Sequence, residues 1–157
     1  MVLFFHFFEV KGQDISLYQQ FNGHYDFTFI GNTMNTAENN SINQPVTITS
    51  SAADLNLNAD ATVLKAYLYW AGCGDGDFSV KLNTTTMTPD RTFSYVRDFD
   101  GVVYTYFSAF KDITTLVQTT GNGTYTLSDL DISPFEPLHY SRKTNFAGWA
   151  ILIVYEN

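Results

Sequence analysis

Cysteine is almost missing from this chain of 157 residues. Cys73 stands alone, so no intrachain disulfide can form, and cysteine usage says nothing about the redox state of the compartment. Basic residues are scarce too: 8 Lys and Arg stand against 16 Asp and Glu, for a formal net charge of −8. No basic stripe reverses that balance locally, which argues against nucleic acid and anionic membrane surfaces as partners. Charged residues make up only 15% of the chain, where about 25% is usual. No apolar run approaches the ~20 residues of a membrane span. There is no Gly-x-Ser-x-Gly elbow, internal repeat, coiled coil or interdomain linker.

Apolar side chains are abundant. Hydrophobic residues reach 45% and aromatics 17%, with 14 Phe and 10 Tyr. That supports one domain with a real core, and aromatic side chains suit a pleated, half-buried surface. Tyr25 to Phe29, Val46 to Thr49, Phe78 to Leu82 and Thr92 to Tyr95 alternate with the period of two that marks strands with one buried face. Val63 to Trp70 and Phe146 to Tyr155 are apolar on both faces and predict central strands. Val102 to Phe110 is a further aromatic strand. One short helix is predicted where Asp112 can cap a turn holding Ile113, Leu116 and Val117, with Gly121 closing it. Asn32 to Gln44 reads as a long surface loop. Short strands separated by Gly- and Asp-rich turns predict an all-β sandwich of jelly-roll type.

The first residues, Val2 to Val10, read VLFFHFFEV, and small or medium residues stand one and three places before Gln13. This pattern resembles the end of a secretory signal peptide. It divides the chain into a leader remnant at 1–12 and a sandwich domain at 13–157; a buried first strand is the alternative.

The chemistry-bearing residues form no recognised catalytic set. Cys73 would need a base to become a nucleophile, and His24 and His139 lie in no nucleophile motif. His24 and Asp26 share a strand face, but a zinc site would also need His139 or Cys73. Asp75 with Asp77, Asp98 with Asp100, and Asp129 with Asp131 place alternating carboxylates in turns, the first two pairs rich in glycine. Such loops can supply the several oxygens that Ca²⁺ requires, although Asp and Gly are also the ordinary residues of turns. Asp75, Asp77, Asp98 and Asp100 are the candidate metal ligands. Tyr67 and Tyr69, and Tyr104 and Tyr106, recur every second residue and would line sheet faces, where they could stack on a sugar ring, dock a protein or simply pack. Asn39, Asn83 and Asn122 head N-glycosylation acceptor patterns, which matter only in a suitable host.

The segments Gln13 to Gly23 (QDISLYQQFNG), Tyr25 to Asn32 (YDFTFIGN), Ala66 to Gly72 (AYLYWAG), Asp112 to Val117 (DITTLV), Gly121 to Leu130 (GNGTYTLSDL) and Gly148 to Glu156 (GWAILIVYE) are similar to the N-terminal region of large gliding-motility-associated surface proteins. These resemble adhesins exported through the type IX secretion route. The resemblance covers nearly all of 13–157 and rests on strand and turn signatures, so it carries over no functional residue. It implies an extracellular, β-rich, non-enzymatic module used in adhesion or surface assembly, with a surface glycan or protein as partner. It further implies that this chain is part of a longer protein with additional domains, which would leave a sheet edge or apolar face without its cover. A carbohydrate-binding module assisted by Ca²⁺, and a hydrolase with a scattered site, are the alternatives that the residues leave open.

Overall fold

The computed structural model describes residues 17–39 and 46–157. The expected leader (1–12) and residues 40–44 of the expected loop lie outside them; of the rest of that loop, Asn32 and Thr33 belong to the first strand and Met34 is buried in the core. Nine strands form two antiparallel sheets among the described residues: β1 (Tyr25–Thr33), β2 (Ser50–Leu55), β3 (Thr62–Cys73), β4 (Val80–Leu82), β5 (Thr85–Met87), β6 (Arg91–Phe99), β7 (Val102–Asp112), β8 (Gly123–Ser128) and β9 (Ala147–Glu156). The larger sheet has the order β1-β9-β3-β7-β6 and the smaller β2-β8-β4-β5.

The pairings nest. β4 pairs with β5, β3 with β7, β2 with β8 and β1 with β9, all antiparallel. A long hairpin rolled up in this way is a jelly roll, so the all-β sandwich is as expected. β6 alone stands outside the nest. It is joined to β7 by a two-residue turn in which Asp100 (φ 54°) and Gly101 (φ 80°) both take the left-handed conformation that such turns require.

Alternation along the strands builds the core. Ala66, Leu68 and Trp70 of β3, Phe107 and Ala109 of β7, and Trp149, Ile151 and Ile153 of β9 point inward and are buried. They meet Leu55, Val80, Leu82, Met87, Tyr125 and Leu127 of the smaller sheet. β3 and β9 are interior strands of their sheet, as their doubly apolar sequences predict.

The structure corrects several local expectations. Val46 to Thr49 does not form a strand; only an isolated bridge joins Asn35 to Thr47, and β2 begins at Ser50. Among the described residues a second short helix joins the expected one: α1 (Thr114–Thr120) and α2 (Glu136–Tyr140). Asp112 does organise the start of α1, accepting hydrogen bonds at Oδ1 from the Thr114 backbone N–H (2.9 Å) and hydroxyl (2.6 Å), although the cap position itself is Ile113. Gly121 closes α1 with φ 68° and an N–H bond to the Val117 carbonyl.

Candidate functional site

The outer face of the larger sheet, turned away from the core, gathers most of the exposed aromatic surface. Register places Tyr25, Phe27 and Phe29 of β1 beside Leu152 and Val154 of β9, next to Tyr67 and Tyr69 of β3. Phe110, Tyr106 and Tyr104 of β7 follow, and then Arg91, Phe93, Tyr95, Arg97 and Phe99 of β6. Phe27 is 63% exposed, Phe29 59% and Tyr95 62%, values that burial in a core would bring near zero. A face this rich in open rings marks an interaction surface more often than a plain solvated one.

Two segments cover the ends of this face. Preceding β1, Tyr18 packs edge-on against Tyr67 and Phe110, and the Tyr67 hydroxyl donates to Gln19 Oε1. At the other end, α2 sets His139 edge-on against both Tyr104 and Tyr106, each 5.2 Å away between ring centres. The four tyrosines singled out in the sequence therefore do share one face, but only Tyr69 is open. Tyr67 and Tyr104 are buried, and Tyr106 is half-buried beside Phe146. Burial and the nearby Asp112 push the Tyr67 hydroxyl up to about 12.

Beside a small depression of about 140 Å³ lined by Arg97, Phe99, Tyr104, Tyr106 and Arg142, this face holds two larger grooves. One, of about 400 Å³, runs between Tyr69 and Phe146 over a floor of Ala71, Gly148 and Ala150. The other, of about 440 Å³, is lined by Phe21, Tyr25, Phe27, Phe29, Leu152 and Val154. The largest depression elsewhere among those described, beside α1, is lined by amide, hydroxyl and apolar groups, with no titratable side chain.

All three arginines of the chain lie against aromatic rings at this face. Arg91 sits over Tyr18 (4.7 Å to the ring centre), and Arg97 and Arg142 over Phe99 (5.3 and 3.9 Å). Arg142 also reaches Asp100 (3.3 Å). Such stacking holds the guanidinium planes in place while leaving their N–H groups available.

The acidic turns work differently. Asp77 is an acceptor for protein N–H groups: Oδ2 takes the Asp131 N–H (2.9 Å), Oδ1 the Ser79 N–H (3.3 Å), and its backbone carbonyl the Trp70 indole (2.8 Å). Asp98 accepts from Gly101 N–H (2.9 Å) inside the hairpin turn, while Asp100 pairs with Arg142 and Asp75 is exposed. Asp129 meets Lys81 (2.8 Å). Among the described residues, no three His, Cys, Asp or Glu side chains come together in a group that could hold a metal ion.

Cys73 is fully buried. Burial, with a further contribution from Glu136, pushes its thiol up, opposite to the shift that activates a nucleophile. His139 is also fully buried: Nδ1 is bonded to the Thr144 hydroxyl (3.0 Å) and Nε2 has no hydrogen-bond partner among the described residues. Desolvation holds its pKa below the usual histidine range.

Sequence reasoning missed Phe27, Phe29, Phe93, Tyr95 and Phe146 as surface residues. The signal was present as alternation, but alternation does not say which of two faces is covered. Among the described residues, no helix is long and apolar enough to cross a membrane. No family model, curated protein or solved structure matches the chain.

Proposed function

We propose that the chain is a non-enzymatic, extracellular surface module that binds a macromolecular partner through the outer face of its larger sheet, in adhesion or surface assembly. The observation that carries this reading is the concentration of open rings there, with Phe27, Phe29, Phe93 and Tyr95 all exposed. Leaving that much apolar surface in water is unfavourable unless a partner covers it. The sequence resemblance to exported, gliding-motility-associated surface proteins supports the extracellular setting. The test is binding of labelled protein to intact bacterial surfaces and to arrays of surface glycans and proteins, comparing the full chain with Phe27→Ser/Phe29→Ser. Retention that falls about tenfold or more in the variant, with its melting curve unchanged, supports the reading. Equal retention by both sinks it.

A second reading, carbohydrate binding, is favoured by the groove between Tyr69 and Phe146. Its small floor residues, Ala71, Gly148 and Ala150, leave room for a sugar ring to lie against an aromatic one. Glycan-array binding lost in Tyr69→Ala would select this reading. If chelator also removed the binding, the acidic turns would have to supply Ca²⁺ ligands by rearranging.

A further inference from the structure

Among the described residues no strand pairs with the far side of β6, and that edge has a definite pattern. All its residues are exposed except Phe99, which is half-buried. Which backbone groups are free follows from its neighbour. The Phe110 carbonyl accepts from Asp90 N–H on the β6 side, and the Thr105 carbonyl accepts from Gly74 N–H on the β3 side. Even-numbered residues of β7 thus bond towards β6, and the register Arg97↔Tyr104, Tyr95↔Tyr106 gives them the odd-numbered residues of β6 as partners. Thr92, Ser94, Val96 and Asp98 therefore direct N–H and C=O groups to the open edge. An edge of this kind is a template for another strand.

The side chains specify which strand. Along the outer face β6 presents Arg91, Phe93, Tyr95, Arg97 and Phe99. We propose that β6 pairs antiparallel with β6 of a second copy about a two-fold axis at Tyr95, joining the two larger sheets into one. In that register Arg91 lies opposite Phe99 of the partner subunit, Phe93 opposite Arg97 of the partner subunit, and Tyr95 opposite Tyr95 of the partner subunit. Every cross-strand pair on this face is a guanidinium with a ring, or a ring with a ring. On the other face Thr92 meets Asp98 of the partner subunit and Ser94 meets Val96 of the partner subunit. These even-numbered residues are the ones whose backbone groups face the edge, so they form the hydrogen-bonded pairs of the new ladder.

Charge and register narrow the choice. A chain of net charge −8 repels its own copy over most of its surface, whereas the outer row of β6 carries two arginines and no carboxylate. Moving the axis to Ser94 would set Arg91 against Arg97 of the partner subunit, like charge on like charge. The Tyr95 register avoids that and uses the whole strand. The pairing is isologous and consumes both β6 edges, so it stops at a dimer. Both outer faces then lie on one side of the joined sheet, which would present any ligand site on that face twice. The dimer does not depend on what the face binds.

Sedimentation of the full chain across a concentration series should show a reversible monomer–dimer equilibrium. Ser94→Pro removes one N–H aimed at the open edge and leaves the ladder to β7 intact, so its melt should persist while self-association weakens by about tenfold or more. Tyr95→Cys should give a disulfide-linked dimer under mild oxidation, because the two sites meet at the axis. Arg91→Cys, far from its own copy across the axis, should not. A full chain that stays monomeric at every concentration overturns the proposal. So does a dimer that Ser94→Pro leaves intact, or cross-linking at Arg91→Cys as efficient as at Tyr95→Cys. Should Ser94→Pro fail to fold, the cysteine pair decides.

Discussion

The indole N–H of Trp149 on β9 donates to the hydroxyl of Ser51 on β2, 2.9 Å away, and so ties the two sheets together by a side-chain bond through the core. Trp149 is 5% exposed, so no water can substitute freely for that acceptor. Ser51→Ala should strand the indole donor and cost about 1–3 kcal/mol, a fall in melting temperature of several degrees for a domain of this size. A thermal melt measures it directly. An unchanged midpoint would mean that the indole finds another acceptor.

Gly31 on β1 stands opposite Ala150 of β9, and a Cβ there would lie 2.2 Å from the Trp149 carbonyl oxygen and 2.7 Å from the Ala150 Cα. Both are backbone atoms of the neighbouring strand, so neither can turn aside as a side chain would. Gly31→Ala should therefore destabilise by about 1–3 kcal/mol and weaken the hold on β1 in particular. Amide hydrogen exchange should show β1 protection lost before that of β3.

Acidification should destabilise the protein in two stages. His139 is held below its usual value of 6.5 by desolvation, so the unfolded chain takes up a proton before the folded one does. The stability of the neutral, buried imidazole is present above pH 6.5 and falls as the pH drops below it. Burial alone would raise the Asp112 carboxyl, but hydrogen bonds from Thr114 and the Lys65 ammonium (3.1 Å) outweigh it and hold it below 3.8, so its contribution is lost only under more acid conditions. Urea midpoints between pH 7.5 and 5 should fall in the parent protein and stay nearly level in His139→Leu. An identical slope in both would remove His139 as the cause.

At alkaline pH the order is reversed. Cys73 and Tyr67 both have folded values above their ordinary ones of 9.0 and 10.0. Each favours folding while neutral, and that contribution erodes as the pH passes the unfolded value, from about 9 for Cys73 and from about 10 to 12 for Tyr67. Near neutrality, a thiol reagent should modify Cys73 far more slowly in the native protein than in urea. Rapid native labelling would contradict its burial.

Asp77 offers a check on the acidic turns. Its side chain accepts the Asp131 and Ser79 N–H groups, so Asp77→Ala should cost about 1–2 kcal/mol by leaving those donors without an acceptor. Because that role needs no cation, the loss should be the same in Ca²⁺ and in chelator. A Ca²⁺-dependent melt in the parent chain that disappears in this variant would instead make Asp77 a ligand.

The interior strands were legible in the sequence because both faces of VLKAYLYW and FAGWAILIVY are apolar, and only an interior strand has cover on both. The edge strands were half legible. Tyr25 to Phe29 and Thr92 to Tyr95 alternate as strands must, but their aromatics point away from the core. Thr28, Ile30 and Asn32 are side chains of β1 that face the smaller sheet instead. Direction depends on where the second sheet lies, and that is set by pairings between residues a hundred positions apart. Three of the four tyrosines are covered for the same reason: Tyr18 and His139, remote in sequence, pack on Tyr67, Tyr104 and Tyr106, while Tyr69 stays open. α2 escaped notice because five residues, Glu136 to Tyr140, are too few to show a helical period.

The position of β9 has a temporal consequence. In the larger sheet β1 touches only β9, and β9 is the strand that joins it to β3. Until Ala147 to Glu156 have been synthesised and laid in, the first strand has no neighbour in its sheet. Loop closure across more than a hundred residues must then come before any of the β1 ladder can form, which slows assembly. A ribosome carrying a nascent chain that ends before Ala147 would hold a sandwich with its larger sheet split and its rings uncovered for as long as elongation takes. This places the decisive folding step late, at the arrival of one ten-residue segment.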